Sequence, residues 1–460
     1  MKANEVKHPY VVMMGLLIGG FVGMLSETAL NIALPALMRD FNVTTGNVQW
    51  LVTSYLLMVG IVLPLTGILT KWFTTRQMVL FALADFLIGV IISAVAPNFG
   101  VLLLGRIIQG IATGILLPMI FIVLLSIIKP NKRGSAMGIV GLVIMFAPAL
   151  GPTLAGIILG ISSWHFIFWM FVPLLLISAG LTARSLVNVT EITKPKIDGL
   201  SVVLSTIGFG GLVVGASFAG DDGWLSPLVL ASILVGIIAL IIYVRRQTKL
   251  TIPILNFSVF KIRAYTHGLI LVLLDFVIIM ASAYLLPLYW QKSLLVAVSL
   301  VGIFMLPGGL ANAIFSSVAG RMSDEYGSKG FIVAGFGLTT IGSVLLILAG
   351  PSVAHWYIIL AHVIIMIGVP LIISPAQIFA LNAIKGPASA DASTILNTLQ
   401  QIVGALATAI ATSLIGLGVM NAGHVKATLA FNLGAHYGFI FITAISVVGL
   451  VIAIALPKQD

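Results

Sequence analysis

The feature that most constrains this chain is a succession of long apolar runs, each about as long as a bilayer-crossing helix. Such a helix needs about 20 mostly apolar residues, because the hydrocarbon core of a bilayer is roughly 30 Å thick. Here the runs follow one another with short breaks that carry charge, glycine or proline. Only 8% of the residues are charged, whereas soluble domains carry about 25%. The sequence therefore predicts an all-α integral membrane protein.

The apolar runs and their breaks predict fourteen transmembrane helices. The approximate limits are 9–34, 46–70, 77–96, 99–128, 135–160, 164–187, 199–219, 225–244, 265–290, 297–320, 329–350, 354–380, 392–418 and 432–456. The first run is too long for a signal peptide and lacks a small-residue cleavage site, so it counts as the first helix. The loops are too short to hold a soluble domain.

The distribution of Lys and Arg orients the predicted helices. With a cytoplasmic N-terminus, nearly all of the 23 basic residues fall on the cytoplasmic side. The outer side holds only Arg39, Lys292 and Lys426, and Arg106 lies within a helix. Because cytoplasmic loops carry the excess of basic residues in membrane proteins, we predict a multi-pass protein of the cell membrane with both termini inside. Topology thus explains the net charge of +10, and we expect no nucleic-acid partner.

Two pairs of segments resemble each other in corresponding parts of the chain. GILTKWFTTR (67–76) aligns with GRMSDEYGSK (320–329), and GRIIQGIATG (105–114) aligns with AHVIIMIGVP (361–370). The repeat predicts an N-terminal six-helix half at 1–190, two inserted helices at 191–250 and a C-terminal six-helix half at 251–460. Paired halves hold a substrate cavity at their shared axis near the middle of the membrane. Chance similarity between apolar helices is the alternative.

Three acidic residues and one basic residue lie within the predicted helices: Glu27, Asp85, Asp275 and Arg106. Each charge in mid-bilayer costs at least a few kcal/mol. A carboxyl group with little water around it keeps its proton to higher pH, so we interpret Glu27 and Asp275 as proton-coupling residues. Arg106 cannot lose its proton and is interpreted as a coupling residue or gate. Asp85 is expected near a helix edge, and for the acids a permanently neutral packing role is the alternative.

The fifth predicted helix contains GLVIMFAPALGPTLAG (141–156), in which small residues recur every four positions. Ala147, Gly151 and Ala155 line one face and let a neighbouring helix approach closely, as helices do in lipid. Pro148 and Pro152 each remove a backbone hydrogen bond, which predicts a kink or a loosened helix. Plain helix packing is the alternative.

This pattern resembles the antiporter motif of major facilitator superfamily exporters, in which this helix seals the two halves. LLGRIIQGIATGILLP (103–118) is similar to the family's fourth-helix motif, with its embedded arginine at Arg106. GRMSDEYGSK (320–329) resembles the loop motif G-x-x-x-D-x-x-G-x-K/R. ETALNIALPALM (27–38) resembles the first-helix motif of the fourteen-helix drug:proton antiporters of the EmrB/QacA type, and NTLQQIVGALATA (397–409) resembles the lincomycin-resistance branch.

The resemblance implies the major facilitator fold, with two six-helix halves plus two inserted helices, and a monomer. It assigns gating or structural roles to two sets of residues: Ala147, Pro148, Gly151 and Pro152, and Gly320, Arg321, Asp324 and Gly327. The first loop departs from the family pattern, because Lys71 and Thr74 stand where an aspartate and a glycine are usual. The inner gate is therefore expected to rely more on Arg321 and Asp324.

The helices expected to face the shared axis supply candidates for substrate binding. Their polar members are Asn31, Tyr55, Gln109, Asn312, Gln377, Asn397 and Gln400. Met145 and Phe146 would add soft, adaptable apolar contacts. Any of these side chains could instead bridge two helices.

The leading prediction is a proton-coupled multidrug efflux transporter that exports amphipathic or lipophilic compounds by alternating access. The proton gradient is the expected energy source, since the chain has no G-x-x-x-x-G-K-[ST] nucleotide loop, and we expect no cofactor. The histidines are scattered singly and cysteine is absent, so no metal site is predicted.

Three other functions were weighed against this one. The chain could export a physiological lipid-like or fatty-acyl molecule, whose anionic head Arg106 would bind. A membrane-embedded transferase would need His, Asp or Ser clustered at the membrane face, and no such cluster is found in the sequence. A channel is disfavoured by the scarcity of polar residues and the kinked helices. The chain is therefore not expected to be an enzyme.

Overall fold

The computed structural model describes residues 9–128, 133–189, 192–194, 198–250, 253, 255–384, 388–422 and 425–456, apart from the side chains at 125, 133–139, 141, 142, 144, 145, 149, 220, 221, 317, 318, 320–326 and 390. Over these residues the chain is helical and forms no strand. The helices are α1 (Pro9–Ala29), α2 (Leu34–Phe41), α3 (Thr45–Leu69), α4 (Thr75–Ala94), α5 (Phe99–Ile127), α6 (Arg133–Ile161), α7 (His165–Trp169), α8 (Phe171–Ser185), α9 (Gly199–Asp222), α10 (Pro227–Gln247), α11 (Arg263–Leu288), α12 (Val298–Tyr326), α13 (Ser328–Ile347), α14 (His355–Asn382), α15 (Ala388–Asn421) and α16 (Ala427–Ala455).

Thirteen helical stretches in the described part of the chain are long and apolar enough to cross a membrane. The chain is therefore an all-α, multi-pass membrane protein. The fifth predicted span falls on α6, whose apolar stretch Phe146–Ile161 is shorter than the others. The count of fourteen spans and the cytoplasmic position of both termini stay predictions.

The first predicted span is divided near its end. After α1 comes a short 3₁₀ helix, Leu30–Ile32, and α2 starts at Leu34. Pro35 lies in the first turn of α2 and has no N–H to donate to the carbonyl of Asn31. The chain therefore changes its helical winding one turn after Glu27.

The loop between α3 and α4 shows what the departure from the family pattern does locally. The Thr74 side chain accepts the Gln77 N–H at 3.2 Å, and Gln77 Oε1 accepts the Thr74 N–H at 3.0 Å. This reciprocal capping box starts α4. The Lys71 carbonyl accepts the N–H groups of Thr193 and Lys194 at 3.0 and 3.1 Å. The loop thus holds the segment that follows α8.

Two groups of helices pack in the same order. In the first group α1 packs against α5, α6 and α8, and α5 also packs against α3 and α4. In the second group α11 packs against α14, α15 and α16, and α14 also packs against α12 and α13. The pair α9 and α10 lies beside them, with α9 against α3 and α15. The predicted domain boundaries at 190 and 250 stay predictions.

Two helix pairs join the groups, α6 with α12 and α3 with α15. A Cβ on Gly156 would lie only 2.8 Å from the Gly302 Cα, and Thr153 Oγ1 donates to the Gly302 carbonyl at 2.9 Å. Across the other seam, Gln49 Nε2 donates to Thr408 Oγ1 at 3.3 Å. We call the end of the bundle where α1 begins the proximal end and the opposite end the distal end. These contacts lie in the distal half, where α6 ends and α3 and α12 begin.

Candidate functional site

The centre of the candidate site is the guanidinium of Arg106, on α5. The side chain is fully buried. Its Nε donates to the Leu51 carbonyl at 2.9 Å, and its Nη1 donates to Ser26 Oγ at 2.7 Å and to Gln109 Oε1 at 2.8 Å. Its Nη2 donates to the Ser26 carbonyl at 3.2 Å. All of these acceptors are neutral, so hydrogen bonds, and not an ion pair, hold this permanent charge.

Tyr55 of α3 forms an aromatic wall beside the guanidinium. The Arg106 Cζ lies 4.2 Å from the centroid of the ring, which is a cation–π arrangement. The Tyr55 hydroxyl donates to the Gly23 carbonyl at 2.8 Å and shares a 2.7 Å hydrogen bond with Thr113 Oγ1. These two contacts fix the ring, so the aromatic face stays against the charge.

Gln109 connects this cluster to α4. Its Oε1 accepts from Arg106 Nη1 and also from Ser26 Oγ, the latter at 3.0 Å. Its Nε2 donates to the Gly89 carbonyl at 3.0 Å and to Ser93 Oγ at 2.8 Å. The sequence predicted Gln109 as a substrate-binding residue. In the structure its amide makes all four of these hydrogen bonds to the protein itself.

Glu27 lies next to Ser26 on α1 and is 1% exposed. Neither of its carboxylate oxygens has a hydrogen-bond partner, and no ion pair joins it to Arg106 within the described residues. The two groups still interact electrostatically. An ionised carboxylate is costly to bury without a partner, and binding a proton removes most of that cost. The site therefore combines an acid that can titrate with a fixed positive charge.

Asn31 adds a further unsatisfied acceptor one turn beyond Glu27. Its side chain is 1% exposed, and its Oδ1 has no hydrogen-bond partner. It lies in the 3₁₀ helix that follows α1. Buried polar atoms are nearly always hydrogen-bonded, so a run of unpartnered oxygens at Glu27 and Asn31 is a place where a proton or a donor group of a ligand would be stabilised.

Asp275, the third predicted coupling residue, lies apart from this cluster. It is on α11, which packs against α14, α15 and α16. Its side chain is fully buried, and both carboxylate oxygens lack a hydrogen-bond partner. No Lys, Arg or His pairs with it in the part of the chain that is described. Arg106 therefore does not bridge Glu27 and Asp275 in this structure.

The other predicted substrate-binding residues are spread along four helices. On α6, Phe146 is half-buried, and the side chain of Met145 lies outside the described residues. The amide of Asn312 on α12 is half-buried, with its Nδ2 4.0 Å from Met366 Sδ. On α14 and α15, Gln377 and Asn397 are half-buried and Gln400 is buried. The structure thus brings Asn31, Tyr55 and Gln109 to the cluster, while the rest lie on other elements.

The proline and glycine pattern of α6 makes its closest contact with α1. A Cβ on Gly151 would lie 2.9 Å from the Ala29 nitrogen. Pro152 has no N–H for the carbonyl of Pro148, four residues before it. The Thr28 hydroxyl donates to that carbonyl at 2.9 Å. Gly151 therefore packs within one group of helices, whereas Gly156 and Thr153, on the next turn, make the contact with α12.

The second set of predicted gating residues lies at the end of α12. Residues 320–326 belong to this helix, which ends at Tyr326, so this part of the predicted loop motif is helical. The side chains of Arg321 and Asp324 lie outside the described residues. Gly327 has φ +82°, a left-handed conformation that favours glycine. It separates α12 from α13.

Sequence reasoning missed the two serines that organise the site. Ser26 holds Arg106 through both its hydroxyl and its carbonyl, and Ser93 holds Gln109. A small neutral residue in an apolar run gives no charge signal. The available signal was spacing: Ser26 directly precedes Glu27, and Ser93 lies one turn after Gly89, on the α4 face that meets α5.

Comparison with known proteins gives consistent results. Residues 16–408 match the family model described as Major Facilitator Superfamily. The chain is 41% identical to the lincomycin resistance protein LmrB of Bacillus subtilis (strain 168), over 99% of this chain and 98% of that protein. It is 40% identical to LmrB of Listeria innocua, over 98% and 97%. The crystal structure of a peptide transporter, POT, matches with a TM-score of 0.66 and 17% identity, over 96% of this chain and 94% of that one.

Proposed function

The chain belongs to the major facilitator superfamily and is a membrane transporter, not an enzyme. We propose that it exports amphipathic and lipophilic drugs in exchange for protons. The near full-length similarity to lincomycin resistance proteins supports drug efflux. We place it in the cell membrane with both termini in the cytoplasm, because Lys and Arg concentrate on that side. It acts as a monomer, since one chain contains every residue of the cluster.

The observation that carries proton coupling is the state of Glu27. This acid is buried, has no partner for either oxygen, and lies near a guanidinium that is already bound to neutral acceptors. Such an acid binds and releases a proton as its surroundings change. When water or a cationic drug reaches Glu27, the ionised carboxylate gains a partner and the proton leaves. Asp275 is proposed as a second proton-carrying acid, in the other half.

The substrate class follows from the surfaces that the two halves would present to a cavity. Half-buried amides at Asn312, Gln377 and Asn397 lie on helices whose residues are mostly apolar. Binding sites for drug-sized molecules are mostly apolar with a few polar groups. An amphipathic compound fits this lining, with its polar group at the amides and its apolar body against side chains such as Phe146.

Alternating access is supported by where the halves touch. The contacts of Thr153, Gly156 and Gly302, and the Gln49–Thr408 hydrogen bond, all lie in the distal half of the bundle. Gln291 Nε2 adds another, donating to the Ile32 carbonyl at 3.1 Å. If the distal end faces outward, the structure is closed to the outside. Toward the proximal end α3 and α15 also touch, since a Cβ on Gly60 would lie 2.6 Å from Ile402 Cδ1. Export then requires the distal contacts to open while the halves stay joined on the proximal side.

The experiment is transport by purified protein in liposomes with an imposed pH gradient. Uptake of radiolabelled lincomycin and of a fluorescent lipophilic cation is measured together with internal pH. We expect drug and proton to move in opposite directions, and Glu27→Gln to abolish the gradient-driven component while the protein stays folded. Asp85→Asn, a change from acid to amide outside the cluster, is the matched control and should transport normally.

Each other outcome would contradict a specific part of the proposed function. Gradient-driven transport that is unchanged in Glu27→Gln would remove Glu27 from the coupling mechanism. Drug movement without proton movement would reject proton exchange. Inhibition by fatty acids, with no transport of either drug, would favour export of a lipid-like molecule instead.

A further inference from the structure

The orientation of the Gln109 amide is set by its four neighbours. Arg106 Nη1 and the Ser26 hydroxyl need an acceptor, and the Gly89 carbonyl needs a donor. Only one of the two amide orientations satisfies all three, with Oε1 toward Arg106 and Nε2 toward α4. Ser93 Oγ, 2.8 Å from Nε2, completes the set. Gln109 is therefore a fixed link between α4 and the guanidinium.

The packing of α4 on α5 supports this link at short range. A Cβ on Gly105 would lie 2.8 Å from the Gly89 carbonyl oxygen, and a Cβ on Gly89 would lie 2.9 Å from the Gly105 carbonyl oxygen. The absence of side chains at these two glycines lets the backbones come this close. The approach brings the backbone of α4 within hydrogen-bonding reach of a side chain on α5. A peripheral helix thereby becomes part of the charged site.

The result is that Arg106 has little freedom to reach an acid. Four of the five N–H groups of a guanidinium are used here on the Leu51 carbonyl, on both oxygens of Ser26 and on Gln109. Glu27, the next residue after Ser26, has no hydrogen bond. The charge is held beside the acid and is not paired with it.

We propose that Gln109, held by Ser93 and Gly89 of α4, is a positioning residue that keeps Arg106 on Ser26 and so sets the pH at which Glu27 exchanges its proton. This rests on the proposed role of Glu27 in proton exchange. If the link is cut, the guanidinium can turn toward the unpartnered carboxylate. A closer positive charge favours the ionised acid, so the proton leaves at lower pH.

Few other titratable groups face this site. Among described residues, α1 contributes Glu27, α3 contributes Tyr55 and α5 contributes Arg106. The acid of α4 is Asp85, two turns before Ser93. The described part of α6 has no titratable side chain. Arg184 lies in the last turn of α8, which also packs against α1. Asp275 and Tyr284 lie on α11, which contacts the 3₁₀ helix after α1. The position of Arg106 is therefore the variable that dominates at Glu27.

The test is infrared titration of the full-length protein in detergent, with no drug added. The band of the protonated Glu27 carboxyl is identified by its loss in Glu27→Gln, and its pH midpoint is measured. In Gln109→Leu we expect the midpoint to fall by about one pH unit or more, the size of shift produced by a nearby opposite charge. In Ser93→Ala we expect a smaller fall, because Gln109 Nε2 keeps the Gly89 carbonyl as its acceptor. In Gln109→Glu it should rise, because the new carboxylate draws the guanidinium away.

Thr66→Ala is the matched control. Thr66 Oγ1 donates to the Gly114 carbonyl at 3.1 Å, so its loss also removes a buried hydrogen bond between helices, but away from the cluster. Its midpoint should equal that of the unmodified protein. Ser93→Ala removes a single hydroxyl and keeps the test possible if the Gln109 variants do not fold.

An unchanged midpoint in folded Gln109→Leu would overturn the proposal, and so would an unchanged midpoint in Ser93→Ala where the Gln109 variants do not fold. An equal shift in Thr66→Ala would also overturn it. The proposed function fails separately: if Glu27→Gln exports drug with normal gradient dependence, Glu27 is not the coupling acid, even where its band titrates and moves as expected.

Discussion

The two halves of the molecule repeat their backbone packing but not their polar chemistry. Extending the sequence alignment along the helices pairs Gly89 with Gly342, Gly105 with Ala361, Gln109 with Ile365 and Arg106 with His362. A Cβ on Gly89 would lie 2.9 Å from the carbonyl oxygen at 105 and 3.0 Å from the nitrogen at 109. A Cβ on Gly342 would lie 2.8 and 3.0 Å from the corresponding atoms at 361 and 365. The α4–α5 pair and the α13–α14 pair therefore approach each other equally closely.

The side chains at the matched positions differ in kind. Tyr55, which flanks Arg106, aligns with Gly308, and the missing side chain there makes room for the imidazole of His362. His362 is buried, and its Nδ1 has no hydrogen-bond partner. Because the C-terminal half packs its helices without any Arg–Gln–Ser cluster, the fold does not need one. The cluster of the N-terminal half is therefore best explained by function.

The largest effect is expected at Arg106, in contrast to His362, the residue that aligns with it in the C-terminal half. Arg106→Ala should abolish gradient-driven transport and lower stability, because Ser26, Leu51 and Gln109 lose their donor and each buried unsatisfied group costs about 1–3 kcal/mol. His362→Ala should keep most of its transport. Both are measured by liposome transport and thermal unfolding in detergent. Equal loss of transport in the two variants, at equal stability, would mean that the halves are functionally equivalent.

If the two halves move relative to each other during transport, a covalent bond between them should stop transport. The chain has no cysteine, so two introduced cysteines are the only pair that can form a disulfide. A Cβ on Gly160 of α6 would lie 2.7 Å from the Ser299 Cβ of α12, and a small shift at these helix ends reaches the usual Cβ–Cβ spacing of about 3.8 Å. Oxidation of Gly160→Cys/Ser299→Cys should stop transport, and a reductant should restore it.

A pair within one half provides the control for this disulfide. A Cβ on Gly15 of α1 would lie 3.3 Å from the Leu181 Cβ of α8. Oxidised Gly15→Cys/Leu181→Cys should transport, since neither helix needs to leave the other. Transport by the oxidised pair across the seam, with the bond verified by mass spectrometry, would mean that this seam does not open.

A smaller effect is expected at the second buried acid. Asp275 has no cation paired with it among the described residues, in contrast to Glu27, which interacts with Arg106. Asp275→Asn should fold, because an amide is cheaper to bury than a charge. It should still export drug but release fewer protons for each drug molecule, as measured by simultaneous drug and proton fluxes. An unchanged ratio would identify Asp275 as a neutral packing group.

Much of the fold could be predicted because lipid demands long apolar helices. Helix positions followed from apolar runs, and Pro35 was the available signal for the break after α1. The residue types of the site, Glu27, Arg106 and Gln109, stood out because charge and amides are rare in such runs. The residues that hydrogen-bond to them could not be recognised in this way. Charge alone did not identify what Arg106 would contact, and the structure holds it on Ser26.

Arg106 contacts Ser26 and not Glu27 because of how α1 is rotated about its own axis. Ser26 and Glu27 are adjacent on α1 and project about 100° apart around the helix, so the rotation of α1 about its axis decides which of them meets Arg106. That rotation is set by close helix contacts, such as those of Gly151 with α1 and Gly105 with α4. Composition and periodicity do not carry this information. The contacts between helices do.

The smallest effect is expected where charges are paired and only partly buried, at the inserted pair α9 and α10. Asp198 accepts from Arg246 Nε and Nη2 at 2.6 and 2.8 Å. These hydrogen bonds, with one from Ser201, lower the pKa of Asp198 from 3.8 to about 2. A lowered pKa stabilises the fold above the unfolded-state pKa, and this contribution is lost as pH falls from about 4 to about 2. Exposed ion pairs contribute about 0–1 kcal/mol.

Asp198→Asn should therefore lower the free energy of unfolding at pH 7 by less than about 1 kcal/mol and leave transport unchanged. The difference from the unmodified protein, measured by thermal unfolding in detergent, should shrink as pH falls toward 2 and disappear below it, where the Asp198 carboxyl also becomes neutral. Asp222→Asn, an exposed acid at the other end of α9, controls for the loss of one charge. A loss of transport in Asp198→Asn at normal stability would contradict this expectation, because a paired, half-buried charge at the inserted helices would then take part in the transport cycle alongside the fully buried, unpaired acids.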